Sequence, residues 1–292
     1  MAENGSPRNG DTFLDAGPGD PGWDTAQVVL IPVPYDSTTS YKTGARAGPR
    51  AIIEASRQLE DYDLELDRDI SAVGIRTAPE VEVDASGPRA MVERVRLAVQ
   101  AAASDGQIVG LLGGEHSITV GAVQALTSRW PDLTVLYLDA HADMRDEYMG
   151  TGWGHASVAR RVSEICGIVE VGVRSLSASE REFIKETEVP VIYWPPPRGV
   201  DGVTAEVLSA LSPHVYISVD LDVLDPSVMA AVGTPEPGGM SWSELTELLR
   251  AVAREREVVG FDLTELSPGE GPEAAAYTAA KLGYKLIGYA TG

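Results

Sequence analysis

The chain is poor in cysteine and has no long apolar run. Its one cysteine, Cys166, cannot form an internal disulfide, and its place between a predicted helix and a predicted strand favours a buried, unreactive thiol. No apolar segment reaches the roughly 18 residues that a membrane span requires. The first residues also lack the basic start and apolar stretch of a signal peptide. These absences predict a cytoplasmic protein that does not contact membranes.

Basic residues are also scarce. The 292 residues include 23 Lys and Arg against 44 Asp and Glu, which gives a formal net charge of −21. This balance argues against a nucleic-acid partner, because phosphate binding requires a basic surface. A negative field attracts cationic small molecules, although net acidity also serves simply to keep a protein in solution.

The distribution of apolar residues predicts one α/β domain behind a short arm. Residues 1–24 are rich in Gly, Pro, Asp and Asn and predict a mobile N-terminal arm, whereas residues 25–292 predict a single domain. Strands are predicted at 27–33, 71–76, 108–113, 133–139, 168–173, 190–194, 215–221 and 258–264. Helices are predicted at 48–59, 88–104, 117–130, 155–166, 178–187, 203–211, 241–255 and 272–288.

Continuous apolar strands that alternate with helices indicate a parallel sheet covered on both faces. An eight-stranded α/β barrel has the same periodicity and stays open at this point. In either architecture the ligand site lies at the carboxyl ends of the strands. The residues that follow the strands are therefore the candidates for function.

Four predicted strands end in polar clusters, with the sequences LLGGEHSIT, LDAHADMRD, SVDLDVLDPS and GFDLTELSP. In an extended chain the side chains alternate between faces, so Asp139, His141 and Asp143 point the same way, as do Asp220 and Asp222. Carboxylates this crowded repel each other unless a positive charge lies between them. Bound metal ions are the simplest source of that charge.

Three of the four histidines, His116, His141 and His155, lie in or just after these clusters. The fourth, His214, precedes an apolar strand and is predicted to have a surface or capping role. The predicted metal ligands are His116, Asp139, His141, Asp143, Asp220 and Asp222.

Six ligands are too many for one open tetrahedral zinc site, and they suit two ions that share carboxylates. The oxygen-rich set favours manganese, although nickel, cobalt or iron could occupy the same geometry. Two neighbouring ions activate a bridging water at neutral pH. The predicted chemistry is therefore metal-assisted hydrolysis.

Taken in order, GGEHS, DAHAD, SVDLDVLDP and DLTELSP resemble the ureohydrolases, the family of arginase and agmatinase. The similarity extends over nearly all of 27–290 and includes the segment IPVPYDSTTSYKTGARAGPRAI. It implies a three-layer α/β/α sandwich on a mostly parallel eight-stranded sheet, in place of a barrel. It also implies two Mn²⁺ per chain, hydrolysis of a guanidino group to release urea, and assembly as a homotrimer or homohexamer.

The resemblance divides the six ligands between two ions. For one ion, the corresponding residues are His116, Asp139, Asp143 and Asp220. For the other, they are Asp139, His141, Asp220 and Asp222. Asp139 and Asp220 would then bridge the two ions.

The resemblance also implies catalytic and substrate-binding residues. His155, in GWGHASVARR, matches a family histidine that relays protons near the leaving amine, a role that Asp222 could share. Glu265 matches the glutamate that pairs with the substrate guanidinium, for which a carboxylate offers two oxygens to a planar fork of N–H donors. One departure is Glu115, where the common motif has Asp; its longer side chain could shift the surroundings of the metal ligands.

The loop MRDEYMGTGWGHAS bears on the choice of guanidine. Arginase-like enzymes have an Asn- and Ser-rich loop here that reads a carboxylate and an ammonium, whereas this loop has no Asn and contributes Asp146 and Glu147. Acidic groups suit a second cationic end, and GTPEPGGM also resembles agmatinases of the archaeal type. The sequence therefore predicts hydrolysis of agmatine to putrescine and urea.

Several alternatives stay open. N1-aminopropylagmatine is a longer polycation of the same kind, and Arg145 could instead recognise the carboxylate of a guanidino acid. A metal-dependent deacetylase with one zinc shares a related architecture. A non-catalytic binding protein on the same fold is a further possibility, although such a protein would more often have lost metal ligands.

Overall fold

Eight strands form one parallel sheet in the computed structural model, which describes residues 12–16, 25–103, 106–197 and 202–292. Ten strands are present in the described residues: β1 Val28–Val33, β2 Tyr62–Asp63, β3 Arg68–Asp69, β4 Ile75–Thr77, β5 Ile108–Gly113, β6 Thr134–Leu138, β7 Gly167–Val173, β8 Val191–Tyr193, β9 His214–Asp220 and β10 Glu257–Thr264. The order in the large sheet is β4-β1-β5-β10-β9-β6-β7-β8, and every pairing in it is parallel. The sheet has two edges, so it is not a barrel, and the predicted α/β sandwich is confirmed.

Helices cover both faces of this sheet. The described α-helices are α1 Gly48–Ser56, α2 Pro88–Ala102, α3 Thr119–Leu126, α4 Val158–Ser163, α5 Ala178–Thr187, α6 Val203–Ala210, α7 Trp242–Glu255 and α8 Ala274–Ala290. One apolar cluster joins the sheet to α1, α6, α7 and α8, and a second joins it to α2, α3, α4 and α5. Along β1, Val28 and Leu30 belong to the first cluster and Val29 and Ile31 to the second. Burial on both faces explains why the strands are continuously apolar.

The structure differs from the predicted elements at several ends. The predicted strand 71–76 is divided by Gly74, whose φ of +73° ends a 3₁₀ turn at Ser71–Val73 before β4 begins. The predicted helices at 117–130 and 155–166 each open with a 3₁₀ turn and are shorter than expected. The β2–β3 hairpin was not predicted, because two-residue strands carry no measurable periodicity.

The predicted mobile arm needs a correction at residues 12–16. The side chain of Phe13 is fully buried in the first apolar cluster. Its backbone N–H donates to Thr77 Oγ1 at 2.9 Å, and the N–H of Leu14 donates to Ser56 Oγ at 2.8 Å. This segment is therefore packed against the domain. The rest of the predicted arm, 1–11 and 17–24, lies outside the described residues.

Within the described residues, no helix has the length and apolar character to cross a membrane.

Candidate metal centre

The four strands that end in polar clusters are neighbours in the sheet. β5, β10, β9 and β6 occupy consecutive positions at its centre. Because they are parallel, their carboxyl ends lie together at the same end of the sheet, where open α/β sheets bind ligands. The clusters there line one cavity of about 230 Å³.

His116 and Asp139 lie in the first of two groups of potential metal ligands at this end of the sheet. The Nδ1 atom of His116 is 3.1 Å from Asp139 Oδ2, 3.3 Å from Asp220 Oδ2 and 3.9 Å from Asp143 Oδ2. Its Nε2 atom is 2.8 Å from the hydroxyl of Ser218. That contact leaves Nδ1 directed at the three carboxylates. The ring is further held by stacking on Tyr137, with centroids 4.5 Å apart.

The second group shares Asp139 with the first. His141 Nδ1 is 3.0 Å from Asp222 Oδ2 and 3.5 Å from Asp139 Oδ1. Backbone donors hold the carboxylates, since the N–H of Ala140 donates to Asp222 Oδ1 at 3.1 Å and the N–H of Asp222 donates to Asp220 Oδ1 at 2.8 Å. Five of the six predicted ligands thus form two groups that could each hold a metal ion, and the sixth, Asp143, lies 3.9 Å from His116 beside the first group.

The electrostatics of these groups fit divalent cations. Burial and neighbouring carboxylates raise the pKa of both Asp143 and Asp220 well above the usual value. Burial opposes the charged form of His116 and His141, but the adjacent aspartates outweigh it and raise both pKa values. Oxygen-rich donors with two imidazoles are a set that divalent transition metals accept.

Asp262 extends the support of the first group. Its carboxylate accepts hydrogen bonds from Ser218 and Tyr216, each at 2.8 Å, and from Thr119 at 2.8 Å. Ser218 in turn contacts His116. Asp262 is not one of the ligands in these groups, and its position fixes the histidine ring through Ser218, as outer partners of metal ligands commonly do.

Two acidic residues at the site have left-handed backbone conformations. Asp143 has a φ of +47° and Glu265 a φ of +65°. Such conformations cost a non-glycine residue about 1–3 kcal/mol and cluster at functional sites. Gly114 lets its backbone pack directly against that of Tyr35, since a Cβ atom at position 114 would lie 1.9 Å from the carbonyl oxygen of Tyr35. The backbone is therefore held closely around the cavity.

Glu265 and His155 both line the cavity, as predicted. Glu265 Oε1 accepts the backbone N–H of His116 at 2.7 Å, and burial together with nearby Glu115 raises the pKa of Glu265 well above its usual value. His155 contacts Thr38 and Ser40. Burial and the charge of His141 lower the pKa of His155 to about 4, so its imidazole is neutral at neutral pH.

Asp146 and Glu147 do not line the cavity, contrary to the prediction. Both are exposed, and Asp146 Oδ1 lies 2.7 Å from Arg161 Nη2 on the outer surface. Arg145 lies in the lining instead, with its Nε atom 3.8 Å from Glu180 Oε2 and its guanidinium 4.8 Å from the ring centroid of Tyr148. The predicted alternation of side chains does not extend through this loop, because β6 ends at Leu138 and the backbone is left-handed at Asp143.

Sequence reasoning also missed Thr38 and Glu236. Thr38 is in the loop that follows β1 and hydrogen-bonds His155, and Glu236 Oε1 is 4.0 Å from His141 Nε2. Both are in segments quoted for their resemblance, YDSTTSY and GTPEPGGM. Neither segment has a spacing that predicts which side chain contacts a histidine of the cavity.

Comparison with known proteins agrees with this arrangement. Residues 26–288 match the model of the arginase family. The N1-aminopropylagmatine ureohydrolase of Thermus thermophilus is 41% identical over 270 residues, covering 91% of each chain. That of Synechocystis sp. is 37% identical over 273 residues, covering 90% of this chain and 89% of the relative. The crystal structure of agmatine ureohydrolase of Thermoplasma volcanium superposes with a TM-score of 0.84 at 36% identity, covering 93% of this chain and 92% of that one. The chain therefore belongs to the arginase family of ureohydrolases.

Proposed function

We propose that this protein hydrolyses the guanidino group of agmatine to putrescine and urea, with two Mn²⁺ per chain. The observation that carries the proposal is the cavity in which Glu265 and His155 adjoin two carboxylate–imidazole groups that share Asp139. A single-zinc deacetylase site would not use this double set. The proposal also draws on the family to which the chain belongs.

The residues that would hold one ion are His116, Asp139, Asp143 and Asp220, and those that would hold the other are Asp139, His141, Asp220 and Asp222. When bound, two such ions supply a hydroxide nucleophile at neutral pH and stabilise the charge that develops in the transition state. The protein's own part is to keep the six ligands in place before metal arrives, through the backbone donors to Asp220 and Asp222 and the Ser218 contact of His116.

Glu265 binds and orients the guanidinium. Its carboxylate is buried and has a raised pKa, so a bound cation would recover the charge that burial disfavours. One oxygen accepts a hydrogen bond from the backbone N–H of His116. The residue that orients Glu265 is therefore itself a predicted metal ligand. A charge-assisted pair with a planar guanidinium then sets the angle of the group to be cleaved.

His155 moves the proton that the leaving amine requires. Its neutral ring lines the cavity and is held on Thr38 and Ser40 by both ring nitrogens. Asp222, whose Oδ2 is beside His141, is the second group that could pass a proton in this cavity. General acid–base assistance of this kind contributes about 10²- to 10⁴-fold.

The far end of the substrate is assigned to Glu236. Its side chain is 36% exposed, and its Oε1 lies 4.0 Å from Nε2 of His141, a residue that lines the cavity. Arg145 does not oppose this assignment, because the buried carboxylate of Glu180 balances its charge. A cavity with this balance suits an amine better than a carboxylate, which favours agmatine over arginine or a guanidino acid.

N1-aminopropylagmatine is a second candidate substrate. Two relatives at 37% and 41% identity carry that name. Tyr41, which lines the cavity and is 71% exposed, offers an aromatic surface on which an added aminopropyl chain can pack.

Urea release from manganese-loaded protein tests the proposal. We expect the highest kcat/KM on agmatine when agmatine, N1-aminopropylagmatine, arginine and 4-guanidinobutyrate are compared. A higher value on N1-aminopropylagmatine would select the second candidate. Arginine turnover that equals agmatine turnover would overturn the assignment of a cationic far end, and a preference for 4-guanidinobutyrate would make Arg145 the specificity residue.

The remaining expectations are proposals from the family resemblance. We propose a homotrimer or homohexamer in the cytoplasm, with neither nucleic acid nor membrane as partner. The net charge of −21 supports the exclusion of nucleic acid. Sedimentation equilibrium on the full chain tests the assembly state, and a monomer would contradict it.

A further inference from the structure

Thr38 lies between Glu115 and His155 and contacts both. Its backbone N–H donates to Glu115 Oε2 at 2.6 Å, and its hydroxyl donates to Glu115 Oε1 at 2.7 Å. The same hydroxyl oxygen accepts the backbone N–H of His155 at 3.0 Å and is 3.2 Å from His155 Nδ1. One hydroxyl thus joins a fully buried carboxylate to the histidine of the cavity.

The donors and acceptors in this chain allow one consistent assignment. A hydroxyl has one hydrogen to donate and two lone pairs that accept. The hydrogen of Thr38 goes to Glu115, because that contact is 2.7 Å long and the contact with His155 Nδ1 is 3.2 Å. One lone pair takes the backbone N–H of His155, so the other is left for His155 Nδ1. That nitrogen must then carry a hydrogen.

Glu115 is built to act as an acceptor. Besides the two donors of Thr38, Ser117 Oγ donates to its Oε1 at 2.6 Å. Donors from Thr38 and Ser117 therefore occupy both oxygens of this carboxyl group. The longer side chain that departs from the common family motif is therefore the group that holds Thr38 at two atoms.

Close backbone approaches keep the chain of contacts in place. Gly154 precedes His155, and a Cβ atom there would lie 2.9 Å from Thr38 Oγ1. On the other side, the N–H of Glu115 donates to the carbonyl of Tyr35 at 2.7 Å. The loop that carries Thr38 is thus fixed against both of its partners.

We propose that Glu115 and Thr38 are positioning residues that hold His155 as its Nδ1–H tautomer. The unprotonated Nε2, 3.3 Å from Ser40 Oγ, is then the ring atom that exchanges protons with the cavity. In the reaction Nε2 takes up one proton from a water molecule in the cavity and gives it to the leaving amine, while Nδ1–H stays on Thr38. This catalytic consequence rests on the proposed ureohydrolase function, whereas the tautomer itself does not.

Nitrogen-15 NMR of the histidine rings tests the tautomer directly. The full chain, labelled at its four histidines and kept free of paramagnetic ions, is compared with a His155→Gln variant to assign the His155 signals. We expect protonated Nδ1 and unprotonated Nε2 in the wild type. In Thr38→Val, which keeps the shape but removes the hydroxyl, we expect loss of the Nδ1–H preference and a fall in kcat of up to about 100-fold, with KM changed less.

Matched variants separate positioning from general damage. Thr38→Ser keeps the hydroxyl and should restore the Nδ1–H signal, and Thr187→Val, at the exposed end of α5, controls for the Thr-to-Val change. An Nε2–H tautomer in the wild type, or unchanged tautomer and kcat in Thr38→Val, would overturn the proposal. A wild type with the expected tautomer that releases no urea would instead overturn the proposed function and leave the positioning assignment supported.

Discussion

Two clusters of acidic side chains balance their charge in different ways. The metal cluster, defined as His116, Asp139, His141, Asp143, Asp220 and Asp222, places four aspartates beside two histidines. In the lysine cluster, the carboxylates of Asp63 and Glu65 from the β2–β3 hairpin and its turn face Lys285 and Lys281 of α8 and Arg250 of α7. The second cluster pairs its carboxylates with Lys and Arg, whereas the first has only two histidines beside four aspartates.

The pKa values follow this difference. Burial would raise the pKa of Asp63 and of Glu65, but hydrogen bonds from Lys285 outweigh it and both pKa values are lowered. In the metal cluster burial and like charges raise the pKa values of Asp143 and Asp220, whereas at Asp139 the two histidines outweigh burial and lower the pKa. The lysine cluster, in which carboxylates are paired with Lys and Arg, holds the hairpin on α8. The metal cluster has an excess of carboxylates and can therefore bind a cationic ligand.

The largest expected effect comes from removing a ligand of the metal cluster. His141→Ala or Asp222→Ala should lower urea release by at least about 1000-fold, the upper range for loss of a single electrostatic group, because one ion loses its site. The far-UV circular dichroism spectrum should remain that of the wild type, since neither side chain is part of the apolar clusters. Normal turnover in either variant would refute the ligand assignment.

The lysine cluster should respond in stability and not in activity. Lys285→Met keeps the apolar stem but leaves buried Asp63 poorly paired, which should lower the free energy of unfolding by about 3 kcal/mol in urea denaturation. Lys281→Met is the matched control, because Lys281 lies 3.6 Å from the same carboxylate and is more exposed. Its loss should cost less than about 1 kcal/mol. A different kcat per folded molecule in wild type and in Lys285→Met would contradict the claim that the lysine cluster affects stability and not activity.

The same variant has a defined pH dependence. The lowered pKa values of Asp63 and Glu65 mean that their stabilisation is fully present above the ordinary carboxylate pKa of about 4 and is lost as the pH falls through the lowered values. The stability difference between wild type and Lys285→Met should therefore shrink below about pH 4.

Metal removal should affect only the metal cluster. Chelation should lower the free energy of unfolding by about 2.7 kcal/mol relative to protein with manganese at 100 times its Kd, measured by thermal denaturation. The further loss in Lys285→Met should be the same with and without chelator, because distant sites add independently. A stability that is indifferent to manganese would argue against metal binding in this cluster.

The smallest effect separates two acidic residues outside both clusters. Glu236→Gln should raise KM for agmatine about 10-fold, because it removes one charged contact beside His141. Asp146→Asn is the control, because its carboxylate pairs with Arg161 on the surface and should change KM less than about 2-fold. A larger effect of Asp146→Asn would reinstate the sequence prediction for that loop.

Much of the fold could be predicted from the sequence because its signals are local. Continuous apolar strands separated by amphipathic helices predicted the parallel sheet, and α5 at Ala178–Thr187 has the predicted ends because Ser177 and Glu180 form a capping box. The ends of α3 and α4 were less predictable, since each begins with a 3₁₀ turn that carries a histidine of the site. The hairpin at β2 and β3 depends on a lysine from the other end of the chain.

By itself, the sequence determined which residue types follow each strand, as with Asp139, His141 and Asp143 directly after β6. Only the tertiary structure decided which acidic residues meet a cation and which meet each other. Asp63 finds Lys285 at a separation of 222 residues, Asp146 turns out to Arg161, and Thr38 joins Glu115 to His155. Charge balance and hydrogen-bond direction depend on partners from distant segments, and packing, not spacing along the chain, places those partners.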